Sequence, residues 1–341
     1  MNNILVTGGT GYIGSHTVTS LLNKNYNVVI IDNLVNSNIK ILSFIKEITQ
    51  KSPLFYKIDL CDKDSLELIF KKHHFDAILH FAALKSAPES IEKPHQYYYN
   101  NLTSLLNLIE LSLKYKIKNI IFSSSCAVYG TPSYLPVDEN HPFNDVLSPY
   151  AKTKQFSEKI LEDTASHLLN IISLRYFNPI GAHPSGKLGD IPKSAANLMH
   201  FILEVALGKA EFLEIYGNNY DTPDGTPIRD FIYIMDLVDA HIYALERLLK
   251  NKNEKFYEFF NVGIGKGVSV LEMVKAFEKY TGKKIPYRFV DRRQGDIGYI
   301  YASTELIEKK LKWKAKYGLK EMITTSWKWA KNLNKIIYEF K

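Results

Sequence analysis

The segment Ile4-Leu5-Val6-Thr7-Gly8-Gly9-Thr10-Gly11-Tyr12-Ile13-Gly14 decides the fold that the sequence predicts. Its first three residues form a short, wholly apolar run, which is typical of a buried parallel strand. The glycines allow a tight turn, and an apolar-periodic helix follows to about Leu22. Strand, glycine turn and helix together predict a pyrophosphate-binding loop, because the backbone can approach the phosphates and the helix N-terminus attracts them.

A second buried strand follows this helix and ends in an acid. Val28-Val29-Ile30-Ile31 is wholly apolar, and Asp32 comes next, roughly 20 residues past the glycines. An acid at this distance bonds ribose hydroxyls, and its carboxylate would repel a 2′-phosphate. The combined pattern predicts dinucleotide binding, with NAD favoured over NADP.

The alternation of strands and helices continues through the first half of the chain. Strands are predicted at residues 54–58, 77–81, 119–125 and 170–175, with helices at 65–72 and 100–114 between them. This alternation predicts an α/β fold with a Rossmann-type, doubly wound parallel sheet. A loop rich in Gly, Pro and His, residues 180–192, then breaks the pattern and marks a domain boundary.

The later half has mixed elements, which predict a smaller α/β domain. Helices are expected from about Ser194, from about Asp236 and at 269–280, and strands near Ile215 and at 256–262 and 286–290. Residues 228–232 lead into the helix from about Asp236. Arg229 and Arg293 are candidates for the diphosphate of a second nucleotide, because guanidinium groups fork onto phosphate oxygens. Either arginine alone would more often be a surface or salt-bridge residue.

The composition is that of an ordinary globular protein, with 45% hydrophobic and 23% charged residues. The formal charge of +7 is spread along the chain, and the densest lysine cluster spans residues 309–316. Acidic residues are interspersed elsewhere and no basic-aromatic repeat occurs. The sequence therefore predicts a solvated lysine face rather than a nucleic-acid surface, and the positive charge favours anionic small substrates.

Cysteine content and hydropathy bear on the compartment. Cys61 and Cys126 form no Cys-x-x-Cys pair and have no metal-ligand spacing, which argues against disulfides and a metal site. The first strand leaves no room for a signal peptide, and no apolar run approaches the ~18 residues of a membrane span. The sequence predicts a cytoplasmic protein without a membrane contact.

The segment Ser148-Pro149-Tyr150-Ala151-Lys152-Thr153-Lys154 has the features of a helix start. Ser148 suits the N-cap, and Pro149 suits the first helical position. Tyr150 and Lys154 are four residues apart, so they share a helix face. A nearby ammonium favours the phenolate, which would make Tyr150 a proton acceptor. Ser125, at the end of a predicted strand, could hold a substrate hydroxyl beside it.

Together these segments resemble the UDP-glucose 4-epimerase family, a branch of the extended short-chain dehydrogenase/reductases. The resemblance covers essentially the whole chain in the family's order. It is carried by residues 7–16, 32–34, 81–85, 123–130, 148–154, 175–186, 229–232 and 292–296. The segment from Arg175 to Gly186 is the most specific to the epimerases.

The resemblance implies three sets of site residues. The catalytic set is Tyr150 as base and acid, Lys154 to lower the tyrosine's pKa and hold the nicotinamide ribose, and Ser125 to bond the sugar hydroxyl. The NAD set, which also includes Tyr150 and Lys154, is Gly8, Gly11, Tyr12, Ile13, Gly14, Asp32, Asn33, Ser37, Asp59, Leu60, Phe81, Ala82, Ala83, Lys85, Asn100 and Phe177. The UDP-sugar set, which also includes Ser125, is Asn178, Asn197, Leu198, Glu214, Ile215, Tyr216, Arg229, Arg293, Asp296 and Ile300.

The activity that the resemblance implies is inversion of carbon 4 between UDP-glucose and UDP-galactose, through a 4-keto intermediate. The UDP half must bind firmly and the sugar loosely, because the keto sugar has to present its other face. Residues 1–176, with a returning segment at about 230–262, would bind NAD, and residues 177–229 and 263–341 would bind the UDP-sugar. A homodimer built on helices near 100–114 and 150–167 is also implied.

The sequence departs from the family's pattern at three places. Cys126 stands where a small alanine is usual, and Ser86-Ala87-Pro88 replaces the commoner Ala-Val-Gly after Lys85. Ile300 falls where relatives carry either a bulky tyrosine or a small residue. A residue of intermediate size leads us to expect that N-acetylated UDP-hexoses also enter.

Two other functions are open at this stage. A nucleotide-sugar 4,6-dehydratase or a decarboxylase shares the fold, but a dehydratase needs an acid and a base beside the serine, where this chain has Cys126 and Ala127. A non-catalytic NAD-binding sensor shares it as well, because fold alone does not fix function. Such a sensor could lose Tyr150 or Lys154, and this chain keeps both.

Overall fold

Seven parallel strands form the main sheet of the computed structural model, which describes residues 1–191, 197–293 and 296–339. The strands of the chain are β1 Asn3–Thr7, β2 Asn27–Ile31, β3 Leu54–Tyr56, β4 Ala77–His80, β5 Asn119–Ser125, β6 Asn170–Tyr176, β7 Asn178–Ile180, β8 Leu213–Tyr216, β9 Ile228–Tyr233, β10 Tyr257–Val262, β11 Gly267–Ser269, β12 Tyr287–Val290 and β13 Tyr299–Ile300. The main sheet has the order β3-β2-β1-β4-β5-β6-β10. The predicted doubly wound parallel sheet is confirmed.

Helices cover both faces of this sheet and the smaller sheets beside it. They are α1 Tyr12–Asn23, α2 Ile41–Thr49, α3 Lys63–Lys72, α4 Ala87–Glu92, α5 Pro94–Lys114, α6 Pro149–Thr164, α7 Leu198–Ala206, α8 Ile234–Leu249, α9 Val270–Thr281, α10 Glu305–Leu311 and α11 Leu319–Glu339, with a 3₁₀ turn at Cys126–Tyr129. None of the helices in the described part of the chain is long and apolar enough to cross a membrane.

The main sheet separates two apolar layers, and this explains why its strands are wholly apolar. Ile4 and Val6 of β1 pack with α1, α2 and α8, whereas Leu5 packs on the opposite face with α3, α5 and α6. Successive side chains of a strand point to opposite faces, so a strand covered on both sides needs an apolar residue at every position. Burial on both faces fixes the register of the sheet.

A second, mixed sheet lies beside the carboxyl end of β6. Its order is β11-β9-β13, with β7 also paired to β9, and only the β11–β9 pair is antiparallel. The parallel pair β8–β12 stands apart. The apolar layer that contains Ile4 continues without a break into this part of the chain through Phe231, Met273 and Phe277.

The predicted elements differ from the observed ones at several places. Helix α5 begins at Pro94 rather than at residue 100, with proline at its first position. Its leucines face two ways, because Leu105 is buried whereas Leu106 and Leu113 are 49% and 41% exposed. The helix after β9 begins at Ile234 rather than near Asp236. The helix start expected near Ser194 lies outside the described residues.

Two glycines with the same backbone conformation provide a test of the turn after β1. Gly8 and Gly208 both have left-handed φ, +68° and +70°, but a Cβ on Gly8 would lie 2.7 Å from the Ala82 nitrogen and one on Gly208 would meet nothing within 4 Å. We expect Gly208→Ala to lower the free energy of unfolding by about 1 kcal/mol, from backbone strain alone. We expect Gly8→Ala to cost about 1–3 kcal/mol more, because the turn must move away from β4.

Urea unfolding of the two variants beside the wild type measures both costs. Equal losses for the two alanines would show that the close approach of the turn to Ala82 does not constrain the fold.

Candidate active site

The carboxyl ends of the parallel strands bring the predicted residues to one edge of the main sheet. The glycine turn follows β1, Asp32 follows β2, Asp59 lies three residues after β3, Phe81 follows β4, and Ser125 ends β5. Open α/β sheets bind their ligands at this edge. The sequence-based placement of these five positions is therefore reproduced.

The glycine turn brings bare backbone close to the start of α1, as a pyrophosphate-binding loop requires. The Gly8 nitrogen donates to the Ile31 carbonyl at 2.8 Å, which fixes the turn to β2. A Cβ on Gly14 would lie 2.2 Å from the Gly8 carbonyl oxygen, so the turn and α1 pack closely only without side chains there. Gly11 caps α1 without a side-chain hydrogen bond. The first N–H groups of α1 are thus left for an anion.

Asp32 is held in place at the end of β2 and keeps capacity to accept further hydrogen bonds. Its carboxylate accepts from the Thr10 nitrogen at 3.2 Å, the Leu34 nitrogen at 2.9 Å and the Ser37 hydroxyl at 3.0 Å. A carboxylate offers about four acceptor positions, so one remains for a ribose hydroxyl. Ser37 also shares a 2.7 Å hydrogen bond with Thr10, which joins the acid to the glycine turn.

The next strand end supplies a second acid. The Asn33 amide donates to the Asp59 carboxylate at 3.0 Å, so these two predicted residues form one side of the edge. Leu60 is different, because its side chain is buried in the apolar layer beneath the edge. Any contact of Leu60 with a ligand would have to come from its backbone.

Residues around β4 and α5 lie at the same carboxyl edge of the main sheet. Ala82 lies directly against the Gly8 turn, and the Phe81 ring stands 4.8 Å from the buried His241 ring. The Asn100 carbonyl accepts from the Cys61 thiol at 3.7 Å, which joins α5 to the segment after β3. Lys85 is exposed at this edge.

Helix α6 carries the Tyr150–Lys154 pair, and its start is as predicted. The Ser148 hydroxyl accepts from the Ala151 nitrogen at 3.2 Å, which caps the helix, and Pro149 is its first residue. The Lys154 amine donates to the Ser123 carbonyl at 2.6 Å and lies 4.6 Å from the centre of the Phe122 ring. Burial lowers the pKa of Lys154 to about 8, and the Glu158 carboxylate opposes this change.

The pKa of Tyr150 corrects one expectation from the sequence. Burial raises the pKa of Tyr150 to about 12, and the group that opposes the rise is Ser125, through a side-chain hydrogen bond. We expected Lys154 to lower this pKa, but its amine is directed to the Ser123 carbonyl. Burial dominates because a phenolate loses its hydration, which a cation does not offset when it is bonded elsewhere.

The later half of the chain contributes a cluster of aromatic and charged residues. Arg229 forms an ion pair with Asp296, and the Arg293 guanidinium stacks 3.8 Å from the centre of the Tyr216 ring. Sequence reasoning missed the similar stack of Arg292 on Tyr220, 3.9 Å from its centre. Residues 294 and 295 of the predicted loop lie outside the described residues.

The remaining predicted substrate residues are divided between the site and the core. The Asn178 amide donates to the Asp230 carbonyl at 3.1 Å, and Asn197 caps α7 by accepting from the His200 nitrogen at 3.1 Å. Ile215 is buried in the core between Glu214 and Tyr216, because alternate residues of β8 face opposite ways. Its side chain therefore does not line the site.

Three other residues of the predicted UDP-sugar set lie in surroundings that differ from one another. Glu214 pairs with Arg288 at 2.5 Å on the outer side of β8. Leu198, at the start of α7, packs against the core. Ile300 and Phe177 share a small apolar cluster with Val128, directly beyond Ser125 and Cys126.

A buried carboxylate that the sequence did not indicate joins the two sheets. Asp230 of β9 accepts from the backbone nitrogens of Ile264 at 2.9 Å, Gly265 at 3.0 Å and Ala302 at 3.2 Å. These donors belong to the loop after β10 and the segment after β13. Burial raises the pKa of Asp230 to about 6, against the lowering effect of the three N–H groups.

The fold and the site together define a class. A glycine turn, a ribose-binding acid and a buried tyrosine–lysine helix are the parts of a dinucleotide-dependent oxidoreductase-type enzyme of the short-chain dehydrogenase/reductase kind. The arginine–tyrosine cluster of the later half has side chains of the kind that suit an anionic, aromatic ligand.

Comparison with known proteins defines the family. The model of the NAD dependent epimerase/dehydratase family matches residues 4–263. The UDP-glucose 4-epimerase of Bacillus subtilis (strain 168) is 48% identical over 97% of this chain and 98% of that protein. The chain therefore belongs to the NAD dependent epimerase/dehydratase family and, within it, to the UDP-glucose 4-epimerases.

Solved structures agree with this assignment. The UDP-glucose-4-epimerase of Stenotrophomonas maltophila, with bound NAD and formylated UDP-arabinopyranose, superposes with a TM-score of 0.95 at 39% identity, covering 98% of this chain and 100% of that one. The UDP-glucose 4-epimerase of Bifidobacterium longum, in complex with NAD⁺ and UDP, gives a TM-score of 0.92 at 42% identity, covering 97% of this chain and 98% of that one.

The buried Asp230 generates a prediction about stability and pH. Its pKa of about 6 in the folded state lies above the ordinary 3.8, so between these values the folded protein binds more protons than the unfolded chain. The free energy of unfolding must then fall as pH rises through this window. Relative to Asp230→Asn, which does not titrate, we expect the wild type to lose roughly 3 kcal/mol between pH 4 and pH 7.

Urea unfolding of both proteins at several pH values measures this difference, and titrations shared by the two proteins cancel. A difference that stays constant with pH would show that Asp230 is ionised at its ordinary pKa.

Proposed function

We propose that this chain interconverts UDP-glucose and UDP-galactose by inverting carbon 4 of the sugar through a 4-keto intermediate, with NAD bound. The observation that carries the proposal is the placement of Tyr150, at the start of α6, beside Ser125, at the end of β5, at the same edge of the sheet as the glycine turn. When bound, NAD supplies the hydride acceptor and donor for carbon 4. The family membership supports the same reaction.

Tyr150 transfers the proton of the sugar's 4-hydroxyl. As a phenolate it removes this proton as carbon 4 is oxidised, and as a phenol it returns the proton when carbon 4 is reduced from the other face. Ser125 holds the sugar hydroxyl, and its own bond to Tyr150 favours the phenolate. No net oxidation of the sugar results.

The cofactor fits the residues at the strand ends. The N–H groups of the first turn of α1 would hold the pyrophosphate, because the Gly8 and Gly14 backbone leaves room where side chains would clash. Asp32, fixed by Thr10 and Ser37, would hold the adenosine ribose. Lys154 would hold the nicotinamide ribose.

The UDP half of the substrate would bind to residues of the later half of the chain. Arg229 and Arg293 would hold the diphosphate and Asp296 the uridine ribose, with Tyr216 beside the arginines. We assign NAD to residues 1–176 and about 230–262 and UDP-sugar to residues 177–229 and 263–341. Anchoring by the UDP half leaves the sugar free to present either face.

The structure favours an epimerase over a dehydratase. A dehydratase needs a proton donor and a base next to Ser125, and the adjacent residues are Cys126 and Ala127. Burial raises the pKa of the Cys126 thiol to about 12, which keeps it protonated and unsuited to act as a base. A sensor without catalysis would not need Tyr150, Lys154 and Ser125 together, and this chain keeps all three.

Ile300 is proposed as a wall of the hexose pocket. It is buried beside Phe177 and Val128, in the cluster that contains Cys126 at its margin. A side chain of this size leaves more space than tyrosine would, so we propose that N-acetylated UDP-hexoses are also substrates. Turnover of UDP-N-acetylglucosamine tests this, and its absence would contradict the proposal.

We also propose a homodimer and a reducing, cytoplasmic location. Helices α5 and α6 pack side by side and expose Tyr99, Leu106, Leu113 and Phe156. A contiguous apolar face of two helices is suited to pair with the same face of a second copy. Cys61 and Cys126 are free thiols, as proteins of a reducing compartment keep them.

Light scattering after size-exclusion chromatography tests the dimer. We expect wild type to have twice the 39.1 kDa of one chain and Leu106→Glu to be a monomer, because a charge would be buried in the interface. Leu54→Glu, at an exposed leucine of β3, is the matched control and should stay dimeric. A monomeric wild type would refute the dimer.

Removing the Tyr150 hydroxyl tests the proposed reaction. We expect Tyr150→Phe to lower kcat for UDP-galactose about 10²–10⁴-fold, the usual contribution of a general base, because no other group can take the 4-hydroxyl proton. The NAD content of the purified variant should equal that of the wild type. Tyr243→Phe, at an exposed tyrosine of α8, is the control. Full-rate epimerisation by Tyr150→Phe would overturn the mechanism.

A further inference from the structure

The end of β5 holds three residues of α6 that are spaced one helical turn apart. Within residues 123–125, Ser125 lies beside Tyr150, the Ser123 carbonyl accepts from the Lys154 amine, and the Ser124 hydroxyl donates to the Glu158 carboxylate. Residues four apart on a helix share a face. The strand end therefore contacts one continuous row of α6, and only its third member, Glu158, has no place in the mechanism so far.

Glu158 is buried and fully engaged. Besides the Ser124 hydroxyl, its carboxylate accepts from the Arg175 guanidinium at 2.6 Å and 3.0 Å and from the Tyr257 hydroxyl at 3.1 Å. Both Glu158 and Arg175 are almost completely inaccessible, at 2% and 3% exposure. Donors from β5, β6 and β10 thus fix the carboxylate in one position.

Arg175 is fixed in turn. It donates to the Tyr129 hydroxyl at 2.9 Å and lies 4.2 Å from the centre of the Phe259 ring. The Tyr129 hydroxyl donates to the Asn261 side chain at 2.6 Å. The ion pair is therefore one part of a satisfied network beneath the site.

The charged and titratable groups around Lys154 identify Glu158 as its source of negative charge. On α6 these groups are Tyr150 and Glu158; β4 contributes His80, whose pKa burial lowers to about 3, so that it is neutral. On β6, Arg175 is paired with Glu158. Burial disfavours the Lys154 ammonium, and Glu158 opposes this effect.

We propose that Glu158 is a positioning residue for the reaction, whose fixed carboxylate keeps α6 in register on the end of β5 and keeps the Lys154 amine in its ammonium form. The inference rests on the proposed function, in which the Lys154 ammonium holds the nicotinamide ribose beside Tyr150. Stability alone does not explain a buried ion pair, since a protein with apolar residues of similar volume in its place is often equally or more stable. Glu158 lies one helical turn beyond Lys154, and this position explains the ion pair by a role in positioning the catalytic residues.

Glu158→Gln tests the role of the charge, because glutamine has the same shape and can keep the Ser124 bond. Removing a negative charge lowers the pKa values of its neighbours, and a change of one unit alters the charged population tenfold. We expect kcat to fall about tenfold, KM for UDP-galactose to stay within about twofold, and the midpoints of the pH–rate profile to move about one unit to lower pH.

Three further variants separate charge from packing. Glu158→Asp keeps the charge and should keep the midpoints. Tyr257→Phe removes one hydrogen bond to the same carboxylate without a change of charge, and its profile should match the wild type. Ser124→Ala removes the bond between β5 and Glu158 without a change of charge, so kcat should fall while the midpoints of the pH–rate profile stay unchanged. If Glu158→Gln does not fold, Ser124→Ala is the variant that tests the inference.

The inference is overturned if Glu158→Gln keeps the wild-type midpoints, if its loss lies in KM alone, or if Ser124→Ala has the kcat of the wild type. Titration of the Lys154 amine by NMR on lysine-labelled protein needs no turnover, and its midpoint should move to lower pH in Glu158→Gln. A wild type that fails to epimerise would refute the proposed function, while this titration would still decide the role of Glu158.

Discussion

The structure depends on keeping a lysine ammonium inside the protein. Burial lowers the pKa of Lys154 to about 8, and the Ser123 carbonyl and the Glu158 carboxylate are the groups that compensate. Both require α6 to lie on the end of β5 in one register, and that register also brings Tyr150 to Ser125. Cofactor binding, proton transfer and the buried ion pair thus share a single strand–helix contact.

The second sheet is connected to the main sheet by one carboxylate. Asp230 binds the loop after β10 and the segment after β13, and its neighbour Arg229 projects to the opposite side, toward Asp296. Alternation along β9 makes one residue structural and the next available to substrate. These bonds hold β9, which carries Arg229, in a fixed position relative to the loop after β10 and the segment after β13.

Much of this could be predicted from the sequence because the signals are local. The strands of the main sheet, the glycine turn, Asp32 and the Ser148 cap all appear where the pattern placed them. Helices α2, α4, α10 and α11 were not predicted, and α5 is longer than expected. The short helices α4 and α10, of six and seven residues, give too little sequence for a helical period to stand out. Helices α2 and α11 do have apolar residues at helical spacing, so their signal was present in the sequence and was missed. Leu60 and Ile215 were assigned to the site, but their side chains lie in the core.

The sequence by itself determined the class of fold, the cofactor type and the tyrosine–lysine pair, because each rests on spacing within one strand, turn or helix. Only the tertiary structure decided that Tyr150 has its pKa raised to about 12, that Ser125 rather than Lys154 opposes this rise, and that Glu158, Arg175 and Asp230 support the site. The physical reason is that desolvation and hydrogen bonding depend on which residues distant in the chain come to surround a group, and spacing along the chain does not contain that information.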